Sequence, residues 1–312
     1  MLSAPFFPFP FHSPFHFPFP SPFPFPSPFP FPFPFPSPFP FPSPFHFPFR
    51  SPFPSPFHFH SPFHFPFPFK PPAMCTRYVL LEQHYRDILA RLGIGAPAEF
   101  LSRYNSAPNT AIPVVRRSPR SAHHEAAFLR WGLVPSWAKS ADGPPLVNAR
   151  ADTVAVKPTF RDALRSRRCL IPASGFYEWE TVGRAKKPWL FRRPDEQPFA
   201  FAGLWDRWRA PDGSVRETCA FITGEPNTLM RPIHNRMPVI LTAETSGAWL
   251  DPARTEPAQL APLLGVPPDD TMTKFAVSTY VSNVRHEGPA CLAPAAADPA
   301  PSDSGPQLSL GF

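Results

Sequence analysis

The first 72 residues alternate Phe with Pro, interrupted mainly by Ser and His. Proline has no backbone N–H and a fixed φ, so a Pro at nearly every second position denies this tract both a helix and a sheet ladder. It holds 27 of the 53 Pro and 25 of the 35 Phe. The tract is therefore read as a disordered, polyproline-like segment over residues 1–73. Phe, Pro and Ser also all have pyrimidine-only codons, so translated upstream DNA gives the same composition. On that reading the working chain starts at Met74, and intact-mass analysis of the native protein decides between the two. A folded domain has to come from the remaining roughly 240 residues, enough for one substantial core.

Removing the tract changes the charge balance. Arg50 and Lys70 are its only formal charges, so 28 Lys+Arg and 23 Asp+Glu remain, a net of +5 against +7 for the whole chain. A mildly basic domain permits a nucleic-acid partner without demanding one. The four Cys (75, 169, 219, 291) contain no CxxC pair, and the five His after the tract show no metal-ligand spacing, so neither metal nor cofactor is expected. The expectation is a reduced, cytoplasmic, nucleoid-associated protein. No run approaches the roughly 18 consecutive apolar residues of a membrane-spanning helix, and no membrane partner is expected.

After Met74 the periodicity is mixed. Tyr85, Ile88, Leu89 and Leu92 share one helical face over residues 82–92, and Gly93 is placed to end it. Residues 104–116 read as a loop entering a short strand, and 127–138 as a strand running into a Trp-rich loop. Residues 160–168 read as a short basic helix. Strand signals then follow at 169–180, 188–192, 199–208, 217–223, 237–242 and 274–281, separated by turns such as Pro211-Asp212-Gly213. Neither a βαβ alternation nor a phosphate-binding glycine loop is present. The predicted class is α+β, with a mainly antiparallel β core and peripheral helices over residues 74–294. An Ala/Pro/Asp/Ser tail is expected over 295–312.

The chemistry starts at Met-Cys-Thr-Arg-Tyr, residues 74–78. If Met74 is removed, Cys75 carries a free α-amine beside its thiol, with ordinary pKa values near about 7.7–8.0 and 8.5. An amine condenses with an aldehyde, and an adjacent thiol then closes a five-membered thiazolidine. Residue type alone favours the other reading, a buried, inert Cys on a first strand.

Five stretches carry a resemblance: MCTRY (74–78), RWGLVPSWA (130–138), VNARAD (147–152), CLIPASGFYEW (169–179) and IHNRMPVIL (233–241). In that order they resemble the SRAP family, whose members crosslink themselves to abasic sites in single-stranded DNA. The resemblance covers Met74 to about Pro294. It implies an SRAP-like fold and names Cys75 as the residue that joins the ring-opened abasic sugar. It makes Asn148 the residue that orients that sugar, Glu178 the acid/base at the Cys amine, and His234 the proton donor and acceptor. Arg77, Arg150 and Arg236 fall inside the motifs and are expected on phosphates. Trp131 and Trp137 are expected to stack on bases or wedge between them. The sequence departs from the family at Thr76, where Gly is usual, and at Asp152, where Glu is common.

The resemblance implies a lyase-like crosslinking activity that shields the lesion. Two other readings stay open: a thiol-dependent autopeptidase using Cys75 with His234, and a non-covalent single-strand binding module. The tail ends in Gln307-Leu308-Ser309-Leu310-Gly311-Phe312, which looks like a bacterial sliding-clamp-binding peptide. There Gln307 would hydrogen-bond at the rim while Leu308, Leu310 and Phe312 fill an apolar pocket.

Overall fold

A computed structural model describes residues 75–95, 97 and 99–295. The Phe/Pro tract and the clamp-like residues Gln307, Leu308, Leu310 and Phe312 lie outside the described residues. In chain order the elements are β1 (Tyr78–Leu80), α1 (Glu82–Arg91), β2 (Arg103–Ser106), β3 (Ala111–Arg117), β4 (His124–Trp131) and β5 (Asn148–Arg150). Next come α2 (Arg161–Ser166), β6 (Arg168–Ala173), β7 (Gly175–Val182), β8 (Ala185–Arg192), β9 (Phe199–Arg209) and β10 (Val215–Gly224). The last are β11 (Met237–Pro238), β12 (Ile240–Leu241), α3 (Ala243–Leu250), α4 (Pro257–Leu260) and β13 (Thr273–Ala276), with short 3-10 turns between and after them. The class is α+β and mainly antiparallel, as expected.

The strands form two layers. One is a five-stranded sheet in the order β13-β8-β7-β1-β2. In the other, β4, β3, β6, β9 and β10 pair in succession, and β10 then pairs back onto β4. This closes a five-stranded ring and leaves those strands no free edges. The closing pair is parallel, as is the pairing of β5 with β10; the other pairings are antiparallel.

Aromatic packing joins the two layers. Trp131 stacks on Phe221 at 4.4 Å, and Phe201 stacks on the same ring at 4.7 Å. Tyr78 of β1 meets all three edge-on, with centroids 5.7–6.1 Å away. Edge-to-face contacts of this kind add to the burial of each ring. Strand β1 has only three residues, so this plug, and not strand length, holds it in place.

One expected strand proves to be two. Residues 169–180 read as a single run, but it breaks at Ser174 into β6, in the ring, and β7, in the other sheet. Ser174 secures the crossing. Its amide donates to Val79 O at 2.8 Å, and its hydroxyl accepts from Leu81 N at 2.8 Å. Gly175 follows because a Cβ there would lie 2.8 Å from the Phe191 carbonyl oxygen, a backbone atom with no room to retreat. Other differences are local. Segment 104–116 supplies two strands, β2 and β3, and the expected strand 274–281 stops at Ala276 before a 3-10 turn over Thr279–Ser282.

The two Trp of the RWGLVPSWA stretch have opposite fates. Trp131 is fully buried and Trp137 is 61% exposed. Truncating Trp131 to Ala should cost about 3–5 kcal/mol in denaturant unfolding, as for other large-to-small aromatic changes in cores. Truncating Trp137 should change stability by less than about 0.5 kcal/mol. Similar small losses for both would show that the ring core is not packed as described.

Candidate functional site

Strand β7 builds the site. Phe176 and Glu178 are two residues apart and so share a face. Phe176 stacks on Phe191 at 5.1 Å inside the core, and Glu178 continues that face where the apolar layer ends. Glu178 is nonetheless only 5% exposed. The β1–β7 ladder runs through Ser174 N to Val79 O and Tyr177 N to Arg77 O. Beyond that point a carboxylate takes over from the backbone: Cys75 N–H donates to Glu178 Oε1 at 2.6 Å.

The electrostatics of this pair are set by burial. Desolvation pushes the Glu178 carboxyl above the usual carboxylate range, while Cys75, His234 and the Trp179 amide pull it part of the way back. The Cys75 thiol is pushed up by burial first and then by the charge of Glu178. It is therefore a protonated thiol at neutral pH. Cys75 also has φ 43°, a left-handed conformation that costs an L-residue roughly 1–2 kcal/mol.

Strand β10 gathers a second group of the expected residues. Its last residues pair with β5 on one flank, Phe221 with Asn148 and Thr223 with Arg150, and with β11 on the other, Thr223 with Pro238. Two motifs some 90 positions apart in the chain are thereby placed one strand to either side of β10. Asn148 and Arg150 share one face of β5, and Ala149 points into the core. His234 precedes β11 and is half-buried. The Arg236 amide donates to His234 Nδ1 at 3.2 Å, which leaves Nε2 as the nitrogen free to exchange a proton with the site. Its proximity to Glu178 registers as part of what lowers that carboxyl.

The expected phosphate ligands are distributed unevenly. Arg150 is exposed and paired with Asp152 at 3.0 Å. Arg236 is buried and its guanidinium lies between Asp152, at 2.8 Å, and Glu225, at 3.3 Å. Arg236 thus anchors the loop that carries His234, and Arg236 in turn holds the Asp152 carboxyl below its usual range.

Arg77 corrects its expectation. It is 9% exposed, and it donates to Asn105 Oδ1 at 2.9 Å, Val281 O at 3.1 Å and Ser282 O at 3.4 Å. Its guanidinium also lies 5.6 Å from the Trp179 ring centroid. With three hydrogen bonds to protein acceptors, Arg77 clasps β1 to residues 281–282 and is held among protein groups in place of the expected phosphate. Trp131 is corrected likewise. Its ring is enclosed by Tyr78 and Phe221, and its Nε1 donates to Val147 O at 3.0 Å, so no face is left for a base.

Trp137 stands on a loop fastened at several points. Val134 N donates to Thr218 Oγ1 at 2.8 Å, Ser136 N to Asp206 Oδ2 at 2.9 Å, and Trp208 Nε1 to Ala138 O at 2.7 Å. Sequence reasoning missed Asp206 and Asn105. The Asn105 amide nitrogen reaches the carbonyls of Val281, Asn283 and His286, partners some 180 positions away for which no local signal exists. Among the described residues no group of three or more His, Cys, Asp or Glu is arranged to hold a metal ion, and no helix is long and apolar enough to cross a membrane.

Comparison with known proteins places the chain among relatives. The chain is 39% identical over 221 residues to the abasic site processing protein YoqW of Bacillus subtilis, covering 69% of this chain and 97% of that one. It is 30% identical over 237 residues to the abasic site processing protein HMCES of Mus musculus, covering 64% of this chain and 67% of that one. A crystal structure of a Bacteroides thetaiotaomicron protein matches with a TM-score of 0.60 and 27% identity, over 72% of this chain and 98% of that one. One from Bordetella bronchiseptica matches at 0.57 and 28%, over 65% of this chain and 100% of that one. The sequence profile described as SOS response associated peptidase (SRAP) matches residues 74–284, and the chain belongs to that family.

Proposed function

We propose that this protein processes abasic sites in single-stranded DNA by forming a thiazolidine between Cys75, freed by loss of Met74, and the aldehyde of the ring-opened sugar. The observation that carries this reading is the 2.6 Å contact between Cys75 N and Glu178 Oε1. Once Cys75 is N-terminal, the atom in that contact is the attacking amine. The left-handed φ of Cys75 also ceases to exist as a constraint, because an N-terminal residue has no preceding carbonyl to define it.

The steps follow from proton bookkeeping. An α-amine is largely protonated at neutral pH, and Glu178, with its raised pKa, takes that proton. The amine adds to the aldehyde carbon to give a carbinolamine. Glu178 returns the proton to the departing hydroxyl, water leaves, and a protonated imine remains. The Cys75 sulfur then adds to the imine carbon, and its S–H proton passes to the nitrogen, closing the ring. The net change is loss of one water. His234 Nε2 supplies and takes back the proton when the sugar ring opens and when the crosslink reverses. Asn148 orients the sugar, while Arg150 and exposed Trp137 meet the strand.

A protonated thiol suits this order of events. It is a poor nucleophile toward an amide but adequate for an activated imine next to it. A cysteine peptidase needs a thiolate, favoured by a nearby imidazolium. Here the charge shifting Cys75 is a carboxylate, which acts in the opposite direction.

Replacing Cys75 with Ser should abolish the heat-stable adduct on an abasic oligonucleotide and leave a borohydride-trappable imine. A heat-stable adduct without reductant would remove the thiol from the mechanism.

Replacing Glu178 with Gln should slow adduct formation by roughly 100-fold or more, the usual contribution of a positioned acid/base. In the parent protein the rate should fall on acidification through a group titrating above the ordinary carboxyl range, because only the ionised carboxylate accepts the proton. Single-turnover rates across pH check both points, and an acid limb that persists unchanged in the Gln variant would assign it elsewhere.

A further inference from the structure

Trp189 of β8 is the register partner of Glu178. Lys187 lies two residues before it on the same face, and Lys274 of β13 is the register partner of Phe191, two residues after it. Lys187, Trp189 and Lys274 therefore extend the sheet face that carries Phe176 and Glu178, outward from the buried carboxyl toward the β13 edge. Both ammonium groups are gathered on one ring: Lys187 Nζ is 5.0 Å and Lys274 Nζ 4.8 Å from the Trp189 centroid. The ring itself is fixed by Nε1 donating to Glu180 Oε2 at 2.8 Å.

This arrangement is unusual for lysine, whose long stem normally leaves its charge mobile. Two cations from different strands are both drawn to one ring here, with cation–π attraction offsetting part of their mutual repulsion. Among the described residues neither forms an ion pair with a carboxylate. Glu180, which shares the face, is engaged by the indole N–H. Both lysines are half-exposed, so they remain open to an anion from solution.

We propose that Lys187 and Lys274, ordered on Trp189, form the subsite for the phosphates on one flank of the lesion, so that the strand leaves the Cys75–Glu178 site across β8 and β13. The inference rests on the abasic-site reading above, which fixes where the sugar sits. Neighbouring strands are ~4.8 Å apart, which sets β8 and β13 about 5 and 10 Å from β7, within reach of the next phosphates along a strand. The ammonium groups occupy the ring's surroundings, so Trp189 acts as a positioning residue and not as a platform for a base. The subsite reads charge and is indifferent to sequence.

The test uses reversible binding to oligonucleotides containing tetrahydrofuran, an abasic analogue with no aldehyde, so that binding is measured apart from crosslinking. The double variant Lys187→Gln/Lys274→Gln should bind on the order of 10-fold more weakly at ~0.1 M salt. Its log Kd against log salt slope should fall by ~1.4, two phosphates at about 0.7 each for single strands. The Lys→Arg pair should retain binding, and thermal unfolding of both variants should match the parent. The loss should vanish on an oligonucleotide truncated on one side of the analogue and persist when truncated on the other. Unchanged affinity and slope would overturn the subsite, as would an equal loss on both truncated oligonucleotides, which is the signature of a general field. If the natural abasic oligonucleotide gives no adduct with the parent while these binding results hold, the crosslinking reading fails and the subsite stands.

Discussion

The contact between Cys75 N–H and Glu178 Oε1 is the interaction on which the rest of the site depends. A buried carboxylate costs several kcal/mol unless it is paired or hydrogen-bonded. Glu178 is buried because β7 carries it along the inner face of the sheet, two residues past Phe176, at the limit of the apolar layer. The amide of Cys75 offsets that cost at the point where the β1–β7 ladder would otherwise end. The residual imbalance appears as a raised carboxyl pKa, and a raised carboxyl pKa is what a base for an α-amine requires. Fold and proposed reactivity are thus two consequences of one placement.

Keeping Cys75 there is a mechanical problem, since β1 is three residues long and Cys75 lies beyond its end. Two devices solve it on opposite faces. Inside, Tyr78 is wedged among Trp131, Phe201 and Phe221. Outside, Arg77 and Asn105 bind the carbonyls of the 281–286 segment. The Arg of the MCTRY motif thereby ties down the chain two residues from Cys75. On the opposite wall, Arg236 does comparable work for His234. Its side chain is tied to Asp152 and Glu225, and its amide fixes the imidazole tautomer.

What the sequence made legible follows the range of the interactions involved. The helix over Glu82–Arg91 was readable because Tyr85, Ile88 and Leu89 recur at helical spacing. The α+β class was readable from short, turn-punctuated strands, and the family from five local motifs. The break at Ser174–Gly175 was not, because GFYEW and CLIPA are both apolar-rich runs, and what separates them is long-range: the Ser174 bonds to Val79 and Leu81 and the approach of the Phe191 carbonyl to Gly175. Closure of the ring was equally invisible, since β10 meets β4 through parallel pairing between segments some 90 residues apart. Burial misled the reading of side chains most. Trp131 and Trp137 sit six positions apart in one motif, but alternation and loop geometry send one into the core and the other to solvent. The Lys187–Trp189–Lys274 cluster was half visible as an i, i+2 pair, and its third member depends on the β8–β13 register.

The account stands or falls on what is bonded to the abasic sugar. The decisive measurement is intact-mass and peptide-mapping analysis of the adduct formed between the native protein and an oligonucleotide bearing a natural abasic site. The account predicts a mass equal to a chain beginning at Cys75 plus the oligonucleotide less one water, with the modification confined to the N-terminal Cys75. A stable adduct at any other residue, or on a chain still carrying residues before Cys75, would contradict it.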